Sequence, residues 1–277
     1  MWDLFADDGE PIAELNCFNV FHTFPIGVLP GPVNSDTLIS IMKEKPIIWT
    51  KMESCPLCET KFETENVWTN RVRFSDTYTD MGKKYIDINP LFYEIWVCPG
   101  CLYAAYRKEG FLNIQGIIKS NFKKGLEMRK KISRTIDWNA SRSFEMGVLS
   151  FKLAILCLQE RSGVSAARYG SYFLKLAWLF RFKEMKDEEQ TYLKLAMARF
   201  MEAYSKETSP EVGSMGETGL VYTIGELARR TGDTKTACEY YMKVITNKEM
   251  QGDPQYIRLS RDMLSFAKEG SPVEFIK

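Results

Sequence analysis

The chain has 277 residues, 45% of them hydrophobic, enough to bury one large or two ordinary cores. Its 37 lysines and arginines stand against 36 aspartates and glutamates, and the net charge of +1 excludes a global field of the kind that marks nucleic-acid or membrane-surface proteins. Seven cysteines, an odd number, and acidic Asp3, Asp7, Asp8 and Glu10 where a signal peptide would carry cations point to a reducing cytosol. No apolar run approaches the ~18 residues of a membrane span.

The first segment, residues 1–50, reads as an irregular arm. Pro11, Pro25, Pro30, Pro32 and Pro46 cut it into short pieces, with a short helix expected from Ser35 to Lys43. His22, the only histidine, follows Cys17 by five residues. With no further Cys or His nearby it reads as packed or exposed rather than as a ligand of a second metal.

Two C-x-x-C pairs follow, Cys55-Pro-Leu-Cys58 and Cys98-Pro-Gly-Cys101. Such a turn aims two sulfurs at one point, and two turns complete the tetrahedral shell of a zinc ion. The stretch between the pairs exceeds the ~15–20 residues of the common spacing. Loop closure, however, rises by only ~0.6 kcal/mol per doubling of length, against roughly 10–16 kcal/mol from structural zinc in finger peptides. The reading is one structural Zn2+ per chain on Cys55, Cys58, Cys98 and Cys101. Three readings compete with it. A thioredoxin-like redox pair belongs at a helix start in a βαβ setting, whereas Cys98 closes the strand-like run Phe92 to Val97. A disulfide framework needs an oxidising compartment. Four unconnected buried cysteines would make the two proline-bearing turns a coincidence.

Between the pairs, Phe62 to Trp68 and Asn70 to Phe74 carry strand chemistry, and Ser75 to Gly82 is turn-prone. The strand Phe92 to Val97 then returns the second pair beside the first. The expected architecture is a zinc ribbon with a long β insert, residues 51–107.

The run Asn89 to Ala104, with Cys55-Pro-Leu-Cys58 and the downstream Lys175-Leu-Ala-Trp-Leu-Phe-Arg181, resembles the bacterial family called domain of unknown function 2225. The likeness extends from about Met52 to the last residues. It implies a zinc-ribbon-like front and a tetratricopeptide-like helical rear, and carries no established activity. The family tends to place Gly directly after the second Cys of the distal pair, where this chain has Leu102, and such proteins often lack the arm before Met52. Gly tolerates φ > 0 in such a turn, so Leu102 leaves the geometry of that knuckle open.

From about residue 108 the pattern becomes helical. Ile114, Ile118, Phe122 and Leu126 form the apolar stripe of a first helix, whose other side carries Lys119, Lys123, Lys124, Arg129, Lys130, Lys131 and Arg134 against Glu127. A solvated face is the commoner meaning of such a run, although it suits phosphate contact. Further helices are predicted near Ser141–Arg161, Val164–Lys183, Asp187–Lys206, Met215–Thr231, Thr234–Lys248 and Pro254–Lys268, with Asp253-Pro254 and Gly270 marking the ends of the last. Gly225, Gly232-Asp233, Ala237 and Tyr241 match one tetratricopeptide repeat, and the segment around Trp178 and Tyr192 to Tyr204 resembles a degenerate copy. A generic antiparallel bundle is the alternative. The fold class expected is α+β, a small β-rich zinc ribbon followed by an all-α tetratricopeptide-like array over residues 108–277.

A lone histidine argues against a Ser-His-Asp triad or a Cys-His dyad, and a four-thiolate zinc has no open position for substrate. No phosphate-binding glycine loop is present. The chain therefore reads as a cytosolic, non-enzymatic module that binds a protein or peptide partner. In the repeat register Trp178, Arg181, Tyr222, Glu226 and Arg229 should line the groove. Nucleic-acid binding through the ribbon and Lys123, Lys124, Lys130 and Lys131 is one alternative, and a thiol redox or zinc sensor is another.

Overall fold

A computed structural model describes residues 46–111, 119–133, 136–247 and 253–276. The arm with its short helix, His22, Ile114, Ile118 and Arg134 lie outside them.

Three two-stranded antiparallel sheets make up the first part. Strands β1 (Ile48–Ser54) and β2 (Lys61–Val67) pair from Ile48↔Val67 to Ser54↔Lys61. Strands β3 (Phe74–Thr77) and β4 (Lys83–Tyr85) form a smaller hairpin with a register shift between Phe74 and Asp76. Strands β5 (Ile95–Val97) and β6 (Ala104–Tyr106) form the third. The first strand lies partly inside the segment read as an arm. The expected strand Asn70 to Phe74 is instead a 3-10 turn, Thr69–Arg71, leading into β3. The strand expected from Phe92 begins only at Ile95, because Pro90 opens a 3-10 turn, Pro90–Tyr93, whose first free amide, Leu91 N–H, is held by Asn89 Oδ1 at 3.0 Å.

Eight α-helices follow among the described residues: α1 (Lys119–Lys124), α2 (Leu126–Ile132), α3 (Phe144–Gln159), α4 (Ala166–Phe182), α5 (Lys186–Lys206), α6 (Gly216–Arg230), α7 (Thr234–Thr246) and α8 (Pro254–Glu269). The chain is α+β, as expected. The basic first helix is two short ones meeting at Gly125, which keeps right-handed backbone angles (φ −74°, ψ −9°) and where a Cβ would strike the Glu160 carboxylate and the Arg129 guanidinium. The other six helices fall close to their expected bounds, and their caps explain why. Ser143 accepts from Met146 N–H at 3.2 Å, Ser165 from Ala167 N–H at 3.2 Å, and Asp253 from Gln255 N–H at 2.9 Å ahead of Pro254. Gly270, at φ +68°, ends α8 in the left-handed conformation that glycine adopts without penalty.

The described residues from Pro46 to Ile276 pack as one compact unit, so the expected division at residue 107 separates compositions and not cores. One apolar core runs from Cys55 and Phe62 through Ile95, Trp96 and Val97 into α3 and on to Met263 and Ala267 of α8. Helix α3 lies against β5 and β6, and each helix from α3 onward packs on the next. No described helix is long and apolar enough to cross a membrane.

Candidate metal centre

Each C-x-x-C pair forms the turn of a hairpin, and the two turns share one backbone geometry. In the first, Glu59 N–H donates to the Cys55 carbonyl at 2.9 Å and Cys55 N–H to the Thr60 carbonyl at 2.9 Å. In the second, Leu102 N–H donates to the Cys98 carbonyl at 2.8 Å and Cys98 N–H to the Tyr103 carbonyl at 2.9 Å. The residue after the second cysteine is left-handed in both, Glu59 at φ +62° and Leu102 at φ +57°. The departure at Leu102 therefore leaves the knuckle intact. Its conformational cost is met by burial, since the Leu102 side chain is part of the core.

The turns meet face to face. A Cβ on Gly100 would lie 2.4 Å from Thr60 Oγ1, so only glycine lets the second turn sit on the first. This contact brings Cys55 Sγ to 3.6 Å from Cys101 Sγ and Cys58 Sγ to 3.5 Å from Cys98 Sγ, with all four sulfurs within 4.8 Å of one another. A tetrahedron with metal–sulfur bonds of ~2.3 Å has sulfur–sulfur edges of about 3.8 Å. Disulfide bonding would need about 2.05 Å, and all four cysteines are free. The residues present thus fit a tetrahedral ion of the soft, thiolate-preferring kind, zinc or iron. All four predicted ligands come together.

The thiols of Cys55, Cys98 and Cys101 share hydrogen bonds with one another. Hydrogen bonds from Cys101 and Cys98 lower the Cys55 pKa to about 2; against the bond from Cys101, the bond to Cys55 and burial push Cys98 up to about 12, and the bonds to Cys55 and Cys98 with burial raise Cys101. A bound divalent ion reverses that balance. Cys58 is the exposed member, with the Thr60 hydroxyl 3.2 Å from its sulfur; Cys55 and Cys98 are buried.

The five residues placed at the groove have a different setting from the one expected. Tyr222 and Glu226 are fully buried, Trp178 packs against the core, and the Arg181 and Arg229 side chains are 10% and 13% exposed. The repeat register does turn Leu176, Ala177, Ile224 and Ala228 inward, and all four are fully buried. What it misses is that the opposite face of α6 is covered too, by the tip of the β3–β4 hairpin and by residues 273–276. Tyr222 donates its hydroxyl to the Thr79 carbonyl at 2.7 Å, and the Thr79 hydroxyl donates to Glu226. Tyr241 donates to the same carboxylate at 2.7 Å. Arg181 forks onto the Asp80 carboxylate at 3.0 and 2.6 Å, and its Nε reaches Glu189 at 2.6 Å. Arg229 donates to Glu226 and to the Val273 carbonyl, and Arg230 to Glu226, Thr79 Oγ1 and the Glu274 carbonyl. Burial alone would raise the Asp80 pKa, but Arg230 and Arg181 outweigh it and hold the carboxyl well below its usual range. Thr79, Asp80, Glu189 and Arg230 had no signal in the sequence beyond the turn-prone run Ser75 to Gly82.

Lys123, Lys124, Lys130 and Lys131 are exposed on α1 and α2, while Arg129 of the same run is buried, donating to the Phe122 carbonyl at 2.7 Å and paired with Glu160.

The class these features define is an α+β protein with a four-cysteine cluster of metal-centre geometry. The chain belongs to the family described as uncharacterized protein conserved in bacteria (DUF2225), which matches residues 48–266. It is also similar to an uncharacterized protein of Borreliella burgdorferi, 28% identical over 152 residues, or 50% of this chain and 54% of the relative. The match thus spans about half the length of that curated protein. No solved structure shows a significant match.

Proposed function

We propose that this is a non-catalytic interaction protein of the cytoplasm, in which a zinc-stapled β unit is carried on a tetratricopeptide-like array that receives a protein or peptide partner. One observation supports the reading. Helix α6 holds two separate segments of the chain through side-chain bonds to their backbone, Tyr222 on the Thr79 carbonyl of the β3–β4 turn and Arg229 on the Val273 carbonyl. Helical arrays use a concave surface to hold peptides. Zinc, rather than iron, is the proposed ion, and four protein ligands leave no open position for chemistry, which supports a structural role.

A second reading, nucleic-acid binding, is favoured by the four exposed lysines of α1 and α2. Elemental analysis of the purified protein should return one zinc per chain. Cross-linked capture with the full chain should yield a discrete protein that survives nuclease and high salt. Recovery of nuclease-sensitive material alone moves the assignment to nucleic acid, and recovery of nothing removes the interaction role.

A further inference from the structure

The space between α4 and α6 is chemically incomplete without the hairpin tip that fills it. On the helix side, Arg181, Arg229 and Arg230 stand against Glu189 and Glu226, one cation more than the anions, in a region where Glu226 is fully buried and the arginines nearly so. A buried excess charge is costly until it is paired. The missing anion is Asp80, itself 1% exposed, forked by Arg181 and 3.7 Å from Arg230 Nε. Thr79 completes the match, its hydroxyl on Glu226 and its carbonyl on Tyr222.

The element that supplies this pair is an appendage. Strands β3 and β4 have four and three residues, bond to neither of the other sheets, and leave Phe74 and Ile86 at their base 48% and 58% exposed. Two-stranded hairpins are marginal on their own. This one is held at its tip and along one edge, where Thr79 N–H donates to the Glu274 carbonyl at 2.9 Å and Ile276 N–H to the Thr77 carbonyl at 2.8 Å.

We propose that the α4–α6 cradle is a binding site for an acidic turn of a protein partner, a hydroxyl residue followed by a carboxylate, and that Thr79-Asp80 is the resident such a turn displaces. This rests on reading the array as an interaction module and names the chemistry of its ligand. The resident competes as a tethered ligand, so a free turn binds the unmodified chain weakly.

The probe is a cyclised, labelled peptide of residues 74–85, titrated into the full chain and into its Asp80→Ala variant. The variant should bind about 100-fold or more tighter than the unmodified chain, the margin a tethered competitor at millimolar effective concentration imposes. The same peptide carrying Asp80→Asn should not bind. A folded variant that ignores the peptide overturns the proposal, as does a variant that fails to fold, since a resident needed for folding is not displaceable. A second measurement uses the unmodified chain. The Thr79 and Ile276 amides should exchange hydrogen well before the α6 amides, and exchange only with global unfolding overturns the proposal. If cross-linked capture succeeds while the peptide does not bind, the interaction role stands and this site alone falls.

Discussion

Replacing Cys58 by serine is the sharpest probe of the metal centre, because Cys58 is the exposed ligand and its loss removes almost no buried surface. Any destabilisation then reports coordination rather than packing, a separation that buried Cys98 does not allow. If structural zinc contributes roughly 10–16 kcal/mol to its folded unit, one ligand of four corresponds to about 2.5–4 kcal/mol. In a compact unit of this size each kcal/mol shifts Tm by about 2–4 °C, so Cys58→Ser should lower Tm by roughly 5–16 °C. Calorimetry with and without a chelator is the assay, with Cys238→Ser, a free thiol outside the cluster, as control. The chelator should lower all three proteins, the Cys58→Ser variant by about a quarter less than the unmodified protein and the control. Equal Tm values for all three proteins, with or without chelator, would refute the metal reasoning.

Three further outcomes follow from packing and charge. Gly170→Ala should destabilise by ~1–3 kcal/mol in urea titration, because its Cβ would sit 2.7 Å from the ring of Phe200, which is fully buried. Burial raises the Glu160 pKa to about 7 against the pull of Arg129, so the folded state keeps a proton that the unfolded chain releases from about pH 4.5 upward. Stability should therefore fall by up to roughly 3 kcal/mol as pH rises through that window, and Glu160→Gln should flatten the slope. Asp80 has the opposite sign: its lowered pKa stabilises the fold above its ordinary value of 3.8, and that contribution should fade in acid titrations below it.

What was legible in the sequence is what local chemistry determines. The four ligands were readable because a C-x-x-C turn fixes its own geometry within six residues, and the six long helices because their apolar residues recur with helical period, with Asp253-Pro254 and Gly270 announcing the ends of the last. Strand β1 was hidden by the prolines before it, and the close approach of Glu160 to Gly125 is a long-range contact that no helical period reveals. The cover over α6 was the largest miss. Its two decisive contacts, Arg181 to Asp80 and Thr79 to Glu226, span 101 and 147 residues. A periodic pattern tells which face of a helix is apolar, and Tyr222, Glu226 and Arg229 do fall off that face. It does not tell whether another part of the chain arrives to cover the polar one.

The β part is joined to the helices by two seams of different chemistry. At β5 and β6 the seam is apolar: Ile95, Trp96 and Val97 are at most 1% exposed, and Tyr106 meets Phe151 edge-on at 6.2 Å. Such a contact is strong and tolerant of small shifts. At the β3–β4 tip the seam is charged, and replacing a buried ion pair by apolar groups is often neutral, so its contribution to stability is modest. Its contribution to position is not, because the fork of Arg181 on Asp80 has a single productive geometry. The metal centre belongs to neither seam, since no helix supplies a ligand. The second knuckle is anchored through buried Trp96 and Tyr103, and the first through Cys55 and Phe62 in the same core, with Phe62 edge-on to Phe111 at 5.9 Å. An ion held by all four sulfurs would add one more tie between the two knuckles, beside the apolar packing that both already have.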